Sequence, residues 1–374
     1  MRMSNAEARG VARIARYLRA RGDDASLHGL GAVGELEARL RAWYGAPYAV
    51  CVSSATAGLE ALAYALELPS TSEFITTEFT WGGAVGPWLR HGLVPRFGDV
   101  DASTLTLAPT SVRRLVTTRT KLLLVPDYLG YPADTQRFRA LADEFGLWYV
   151  ADVAHGFGAT RCGVPSGSLA DALVVSFGHG KPLWAGEGGA VVTTNPDIYE
   201  KVLWWTQHPV RQIRELGPSL RNEFGTNARI HPLAALWLAE TFDAQLRELR
   251  ALQAKLAHLV RLLAETEVAE EMATAPRKLT PAGTYLLAQR RRSVTERELQ
   301  ELLRRLDAPA ARTLPTIRIT ADAAFQAQFV HLVPTSLMRT RDLGRYFCVP
   351  LAERQRRPRF VPTARTSRTY DRSA

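Results

Sequence analysis

KLLLVPDYLGYPADTQRFRALADEFGLWYVAD (residues 121–152) contains one complete structural unit. It opens on an apolar run, KLLLVP, and closes on a second, LWYVAD. Between them Asp134 stands as a helix N-cap, Phe138, Leu141 and Phe145 recur on one helical face, and Gly146 supplies the stop. Two strands joined by such a helix run parallel, and strands apolar on both faces need a covering layer on each side. The same alternation extends in both directions. YAVCVS (48–53) precedes a helical stripe of Leu59, Leu62, Ala63 and Leu66. FITT (74–77), LVPRF (93–97), ALVVSF (172–177) and GAVVTT (189–194) are further short apolar runs, and 35–44 reads as an amphipathic helix. The pattern predicts an α/β fold with a large, mostly parallel sheet covered on both faces.

Beyond residue 230 the pattern changes. Residues 231–265 read as one long helix with Pro232 in its first turn. A smaller C-terminal α/β unit follows, with a loop at 267–281, a strand near 283–289, a capping box of Ser293 and Glu296, and a stripe of Leu299, Leu302, Leu303 and Leu306. The expected division is a large domain over 1–240, including an N-terminal helical segment, a small domain over 241–351, and an Arg-rich tail over 352–374 expected to be disordered.

The chain has 374 residues, 46% hydrophobic and 22% charged, a globular balance that excludes collagen-like and coiled-coil classes. Cys51, Cys162 and Cys348 are scattered and form no CxxC, which argues against a zinc site or a disulfide framework. No apolar leader or membrane-length run is present, so a reducing cytoplasm is expected. The net charge is +10, concentrated late in Arg354, Arg356, Arg357, Arg359, Arg365, Arg368 and Arg372. Such a tail reads as a solvated segment, or as a contact for an acidic partner such as nucleic acid.

Two cofactor motifs fail. Gly29, Gly31 and Gly34 spell GxGxxG, but a polar loop precedes them and no acidic residue follows at the spacing a dinucleotide site needs. Gly180-Lys181 resembles the end of a P-loop, yet Val175 stands where glycine is required and Pro182 where a magnesium-binding hydroxyl is required. His155, His179, His208 and His231 lack metal-ligand spacing.

Four other features fall at the carboxyl ends of strands, where open α/β sheets gather their sites. Ser53-Ser54-Ala55-Thr56-Ala57-Gly58 joins strand to helix with small residues that let an anion approach backbone N–H groups. Asp152, followed by His155, ends a buried strand and needs a cationic partner. Ser176-Phe177-Gly178-His179-Gly180-Lys181 ends another, and Lys181 is one of five lysines in a chain otherwise basic through arginine. Only lysine, with its pKa lowered, forms a Schiff base. Phe79-Thr80-Trp81 places an aromatic where it could stack on a flat ring.

In order and spacing these features resemble the DegT/StrS-type sugar aminotransferases, pyridoxal 5'-phosphate (PLP) enzymes of fold type I. The resemblance rests on SSATAGLEAL (53–62), FTWGGAV (79–85), GDVDASTLTL (98–107), YPADTQRFRALADEFGLWYVADVAHGFGAT (131–160), VVSFGHGKPLWAGEGGAVVTT (174–194) and GTNARIHPLAALWL (225–238), and covers roughly residues 30–240. It implies a large domain with a mostly parallel seven-stranded sheet plus a smaller C-terminal α/β domain. It further implies that Lys181 holds PLP as a Schiff base and Asp152 pairs with the pyridine nitrogen. Trp81 would stack on the ring, Ala55, Thr56 and Ser176 would hold the phosphate, and His155 would contact the phenolic oxygen. Asn227 would reach the phosphate of the neighbouring subunit in a homodimer. An amino-acid donor such as glutamate or glutamine would supply the amine to a ketone.

The chain also departs from that pattern. Ala55 replaces the usual Gly, Asp127-Tyr128-Leu129-Gly130 replaces His-Leu-Tyr-Gly, and Ala151 stands where Glu is frequent. Only a remnant of the substrate element remains, at His331-Leu332-Val333-Pro334, while Trp204, Trp205 and His208 are expected near the substrate. These changes spare the cofactor residues and leave a keto-sugar, a keto-cyclitol or another ketone as acceptor. Two rivals stand beside transamination: sugar dehydratase chemistry, in which histidine replaces the lysine, and a regulatory or nucleic-acid-binding relative.

Overall fold

The computed structural model describes residues 3–218, 225–266, 269–271, 279–290, 293–305, 312–313 and 346–351. Each of the seven apolar runs becomes a strand: β1 (Tyr48–Val52), β2 (Glu73–Thr77), β3 (Val94–Gly98), β4 (Thr120–Pro126), β5 (Trp148–Asp152), β8 (Ala172–Ser176) and β9 (Gly189–Thr193). The labels β6 and β7 go to the short strands Thr160–Arg161 and Val164–Pro165. The seven form one sheet in the order β1-β9-β8-β5-β4-β2-β3. Pairing is parallel from β8 through β5, β4 and β2 to β3, and β9 alone lies antiparallel to both neighbours.

The continuous apolar runs are explained by burial on both faces. Leu123 and Val125 of β4 join one core with Leu36 and Leu40 of α2 (Gly31–Tyr44), Phe138 of α6 (Thr135–Phe145) and Phe242 of α9 (Pro232–Ala264). Leu122 and Leu124 point the other way, into a core with Leu59 and Leu62 of α3 (Ala55–Ala65), Trp88 of α4 (Gly82–Arg90) and Val202 of α7 (Pro196–Thr206). Also present are α1 (Asn5–Arg19), which lies along α9, α5 (Pro109–Leu115) and α8 (Pro209–Leu216).

The long helix α9 serves two cores: Leu249 packs into the first, whereas Leu256, Leu259 and Leu263 pack against Leu286 of β12 (Tyr285–Arg290) and Leu299 and Leu303 of α10 (Glu296–Arg305). With β10 (Ala269–Glu271), β13 (Arg312–Thr313) and β14 (Tyr346–Pro350), β12 forms an antiparallel sheet in the order β10-β12-β14-β13. The strand β11 (Leu279–Thr280) pairs instead with β6. The turn after β4 also ties this smaller unit to the large sheet. Ala282 N–H donates to Gly130 O at 2.8 Å, and Tyr131 Oη accepts from Leu287 N–H at 3.0 Å.

Three expectations need correction. Residues 267–281 are not all loop, because β10 pairs with β12 and β11 with β6; strands of two or three residues are too short to carry an alternating pattern. The capping box is Thr295 and Glu298, not Ser293 and Glu296. Thr295 N–H donates to Glu298 Oε2 at 2.7 Å and Glu298 N–H to Thr295 Oγ1 at 3.3 Å. Both pairs satisfy the same spacing rule, and α10 begins at Glu296 with Leu299 and Leu303 buried. The helix expected over 35–44 begins at Gly31. The Arg-rich tail and His331–Pro334 lie outside the described residues.

The failed GxGxxG run has a structural explanation. Gly29 (φ 66°) lies against the guanidinium of Arg211, where a Cβ would come within 2.5 Å of Nε. Arg211 is fully buried and binds Glu37 through both terminal nitrogens, at 2.9 and 2.8 Å, while Glu37 also accepts Cys51 N–H at 2.7 Å. The glycine makes room for an ion pair that ties α8 and α2 to β1.

Candidate active site

At the carboxyl ends of β1, β4, β5 and β8 a cleft of about 470 Å³ opens. One wall is the β1–α3 turn. Ser54 caps α3, its Oγ accepting Ala57 N–H at 3.0 Å, which leaves the Ala55 and Thr56 backbone at a helix start. A Cβ on Gly189 would lie 2.5 Å from Ala55 N, so β9 approaches this turn as closely as glycine allows. A Cβ on Gly83 would lie 2.6 Å from Thr56 Oγ1, so the start of α4 closes on the same spot. Two helix N-termini therefore flank the Thr56 hydroxyl, an arrangement that favours an anion. Ser176 adds a buried hydroxyl, whose Oγ accepts Gly178 N–H at 3.3 Å and keeps its own hydrogen to donate.

Across the cleft lie Asp152, His155 and Lys181. Asp152 is buried, and its Oδ1 accepts Ala154 N–H at 3.0 Å. Burial pushes its pKa up, against the Ala154 hydrogen bond and the Lys181 charge. Burial likewise lowers the Lys181 amine below its ordinary value, opposed by Asp152 and Glu187. His155 is held well below its usual range by burial, with the Lys181 charge adding to the effect, so its ring is neutral. A lysine made more nucleophilic by burial, facing an acid and a neutral imidazole, is suited to imine formation and proton transfer.

Seven of the eight residues singled out from sequence line this cleft: Ala55, Thr56, Trp81, Asp152, His155, Ser176 and Lys181. Trp81 stands at the start of α4 with 66% of its surface exposed, over the open side. Asn227 lies apart. It is exposed, its Oδ1 accepts Arg229 Nε–H at 2.6 Å, and its neighbour Ala228 O accepts Ser53 N–H at 2.7 Å, at the outer edge of the β1–α3 turn. Trp204, Trp205 and His208 do not border the cleft within the chain, contrary to expectation. Trp204 is buried, Trp205 stacks on Tyr64 with ring centroids 4.3 Å apart, and His208 caps α8.

The residue that sequence reasoning passed over is Asp127. It lines the cleft floor, its carboxyl accepting Ser166 Oγ–H at 2.6 Å and Ala133 N–H at 2.8 Å. Burial pushes its pKa up to about 7, with Asp152 contributing in the same direction. A Cβ on Gly156 would meet Asp127 Oδ2 at 1.7 Å, so position 156 must be glycine. Its only sequence signal was the unusual DYLG quartet.

A doubly wound sheet, a smaller unit joined through one long helix, and a lysine–aspartate cleft at the strand ends together define a transferase of fold type I. Within that class the chain belongs to the DegT/DnrJ/EryC1/StrS aminotransferase family, whose profile matches residues 18–336. A putative L-glutamine:3-amino-2,3-dideoxy-scyllo-inosose aminotransferase of Streptomyces kanamyceticus is 38% identical over 160 residues, 42% of this chain and 38% of that protein. An uncharacterised protein of Methanocaldococcus jannaschii, MJ1066, is 30% identical over 168 residues, 45% of this chain and 44% of that protein. The chain thus spans about two fifths of the length of the curated relatives it matches. Among solved structures, DesV of S. venezuelae, crystallised with a ketimine intermediate, superposes with a TM-score of 0.73 at 25% identity, covering 92% of this chain and 89% of that one. The aminotransferase of Psychrobacter cryohalolentis has a TM-score of 0.76 at 20% identity, covering 94% and 92%, and shares the fold.

Proposed function

We propose that the protein is a PLP-dependent aminotransferase that moves an amino group from an amino acid, glutamate or glutamine, to a keto-sugar, keto-cyclitol or related ketone in a biosynthetic pathway. The observation that carries this reading is the shared burial of Lys181 and Asp152 in one cleft whose far wall is an anion cradle. The residues present fit the cofactor. Lys181 would carry it, Asp152 would face its ring nitrogen, Trp81 its ring, and His155 its phenolic oxygen. Ala55 N–H and the hydroxyls of Thr56 and Ser176 would hold its phosphate. When bound, PLP supplies the electron sink that makes the carbon–hydrogen bond of an amino acid labile.

The chain supplies the rest. Asp152 keeps a proton on the ring nitrogen. The Lys181 amine, its pKa lowered by burial, would take a proton from one carbon and return it to another. Trp81, at the start of α4, borders the open side of the cleft. The scyllo-inosose named in the Streptomyces relative supports a cyclitol or sugar-like acceptor. We further propose a cytoplasmic homodimer in which Asn227 serves the partner's cradle, with a large domain over 1–240 and a small one over 241–351.

Purified protein should take up PLP with a yellow absorbance band, and borohydride should fix the cofactor on Lys181. Glutamate or glutamine should then discharge the band of untreated protein, and a panel of keto-sugars and keto-cyclitols should restore it. Lys181→Ala should abolish turnover. A yellow protein indifferent to every amino donor would point to other PLP chemistry, and a colourless one would end the assignment.

A further inference from the structure

Lys181 is presented by a loop, residues 177–188, that has four glycines and neither helix nor strand of its own. Glycine-rich backbone is costly to order, so the points at which it is tied determine where the lysine stands. Lys181 N–H reaches Gly178 O at 3.3 Å, and Ala185 N–H reaches Phe177 O at 2.9 Å. The far side of the loop is held from outside. Trp184 N–H donates to Gln245 Oε1 at 2.7 Å, and Gln245 Nε2 donates back to Trp184 O at 2.9 Å. The second Nε2 hydrogen goes to Thr241 Oγ1 at 2.9 Å, and the Thr241 hydroxyl in turn donates to Trp237 O at 2.8 Å. Both amide hydrogens and the carbonyl are thereby assigned, and the reverse orientation would set acceptor against acceptor.

Gln245 is buried in the part of α9 whose neighbours Phe242 and Leu249 pack into the main core, so its anchor is rigid. Trp184 adds an edge-on contact with Trp237, ring centroids 6.3 Å apart. An apolar side chain would fill this site without the desolvation cost of a buried amide, a cost met only when every polar atom finds a partner.

We propose that Gln245 is a positioning residue for Lys181: its amide clamps the Trp184 backbone, three residues beyond the lysine, and fixes the loop on α9. The inference rests on the reading of Lys181 as the cofactor-bearing amine, and its test separates the two. In the cofactor-free full chain, amide exchange over 178–188 should quicken about tenfold in Gln245→Leu, with the rest of the large sheet unchanged. Gln245→Met keeps the side chain's length but can neither accept from Trp184 N–H nor donate to Trp184 O, and it should show the same loosening. In the loaded enzyme both variants should lose about 10–100-fold in kcat, with donor KM within about twofold, because a small displacement of the reacting group is felt in the chemical step. Exchange over 178–188 equal to that of the parent in both variants, or a loosened loop with unchanged kcat, would overturn the proposal. If the parent protein never takes up PLP, the functional reading fails, while the exchange measurement still reports whether Gln245 holds the loop.

Discussion

Lys181 and Asp152 each lie in an environment that opposes their charge, and each partly relieves the other. Replacing Asp152 with Asn keeps the shape but removes the group that would hold a proton on the cofactor nitrogen. Turnover should fall by about 10²–10⁴-fold with PLP still bound, measured as single-turnover rate against cofactor absorbance. Asp127 makes a different prediction, in stability. Its pKa rises from 3.8 in the unfolded chain to about 7 in the folded one, so between those values the folded state holds the extra proton. The stabilisation is therefore full below about pH 4 and is lost as pH rises through about 7. Asp152 and the hydroxyls of Tyr44 and Tyr149 share this environment. Asp127→Asn, measured cofactor-free by chemical denaturation, should flatten the fall between about pH 4 and 7 and leave the variant more stable than the parent at pH 8, by roughly 1–3 kcal/mol. Parallel curves for the two proteins would refute the assignment. Lys181 and Asp152 could be read from sequence because a lone lysine among glycines and an acid closing an apolar run are unusual. Asp127 could not, because its burial depends on Ser166 and Gly156, which the chain brings to it from further along.

Elements meet the cofactor cradle through backbone, and glycine marks the contacts. Gly189 opens β9 with Val52 on one side and Ser176 on the other, and a Cβ there would press on Ala55 N and, at 2.8 Å, on Val175 O. Backbone atoms of a helix start and a strand cannot yield as a flexible side chain would. Gly189→Ala should cost about 1–3 kcal/mol and weaken PLP binding at least about tenfold, read by denaturation and by absorbance titration. Away from the cleft, Arg211→Met would leave the Glu37 carboxylate buried without its cation and should cost about 3–5 kcal/mol, with Glu37→Gln added on top recovering part of the loss. If the double variant is no more stable than the single one, the penalty is not electrostatic. The strands of the large sheet were legible because each is a short, mostly apolar run. The Glu37–Arg211 pair was not, since 174 positions separate its members.

The assembled molecule leaves one predicted residue without a role inside its own cleft. Asn227 is exposed at the outer edge of the β1–α3 turn, held by Arg229, while the other seven residues expected to hold the cofactor line the cleft. A residue so placed serves catalysis only if a second copy brings it to another cradle, as a two-fold dimer would allow. Mixing two impaired variants tests this directly. Lys181→Ala and Asn227→Ala should each lower activity alone, the first completely and the second through weaker cofactor binding. Subunit exchange between them creates mixed dimers. If Asn227 acts across the interface, one site of each mixed dimer combines an intact lysine with an intact asparagine, and the other site carries both defects. Activity at limiting PLP should then rise on mixing, toward about half that of the parent per mixed dimer. If Asn227 acts within its own chain, every site in the mixture retains one defect and nothing is regained. A mixture no more active than its parts, with subunit exchange verified by mass, would exclude the dimeric site.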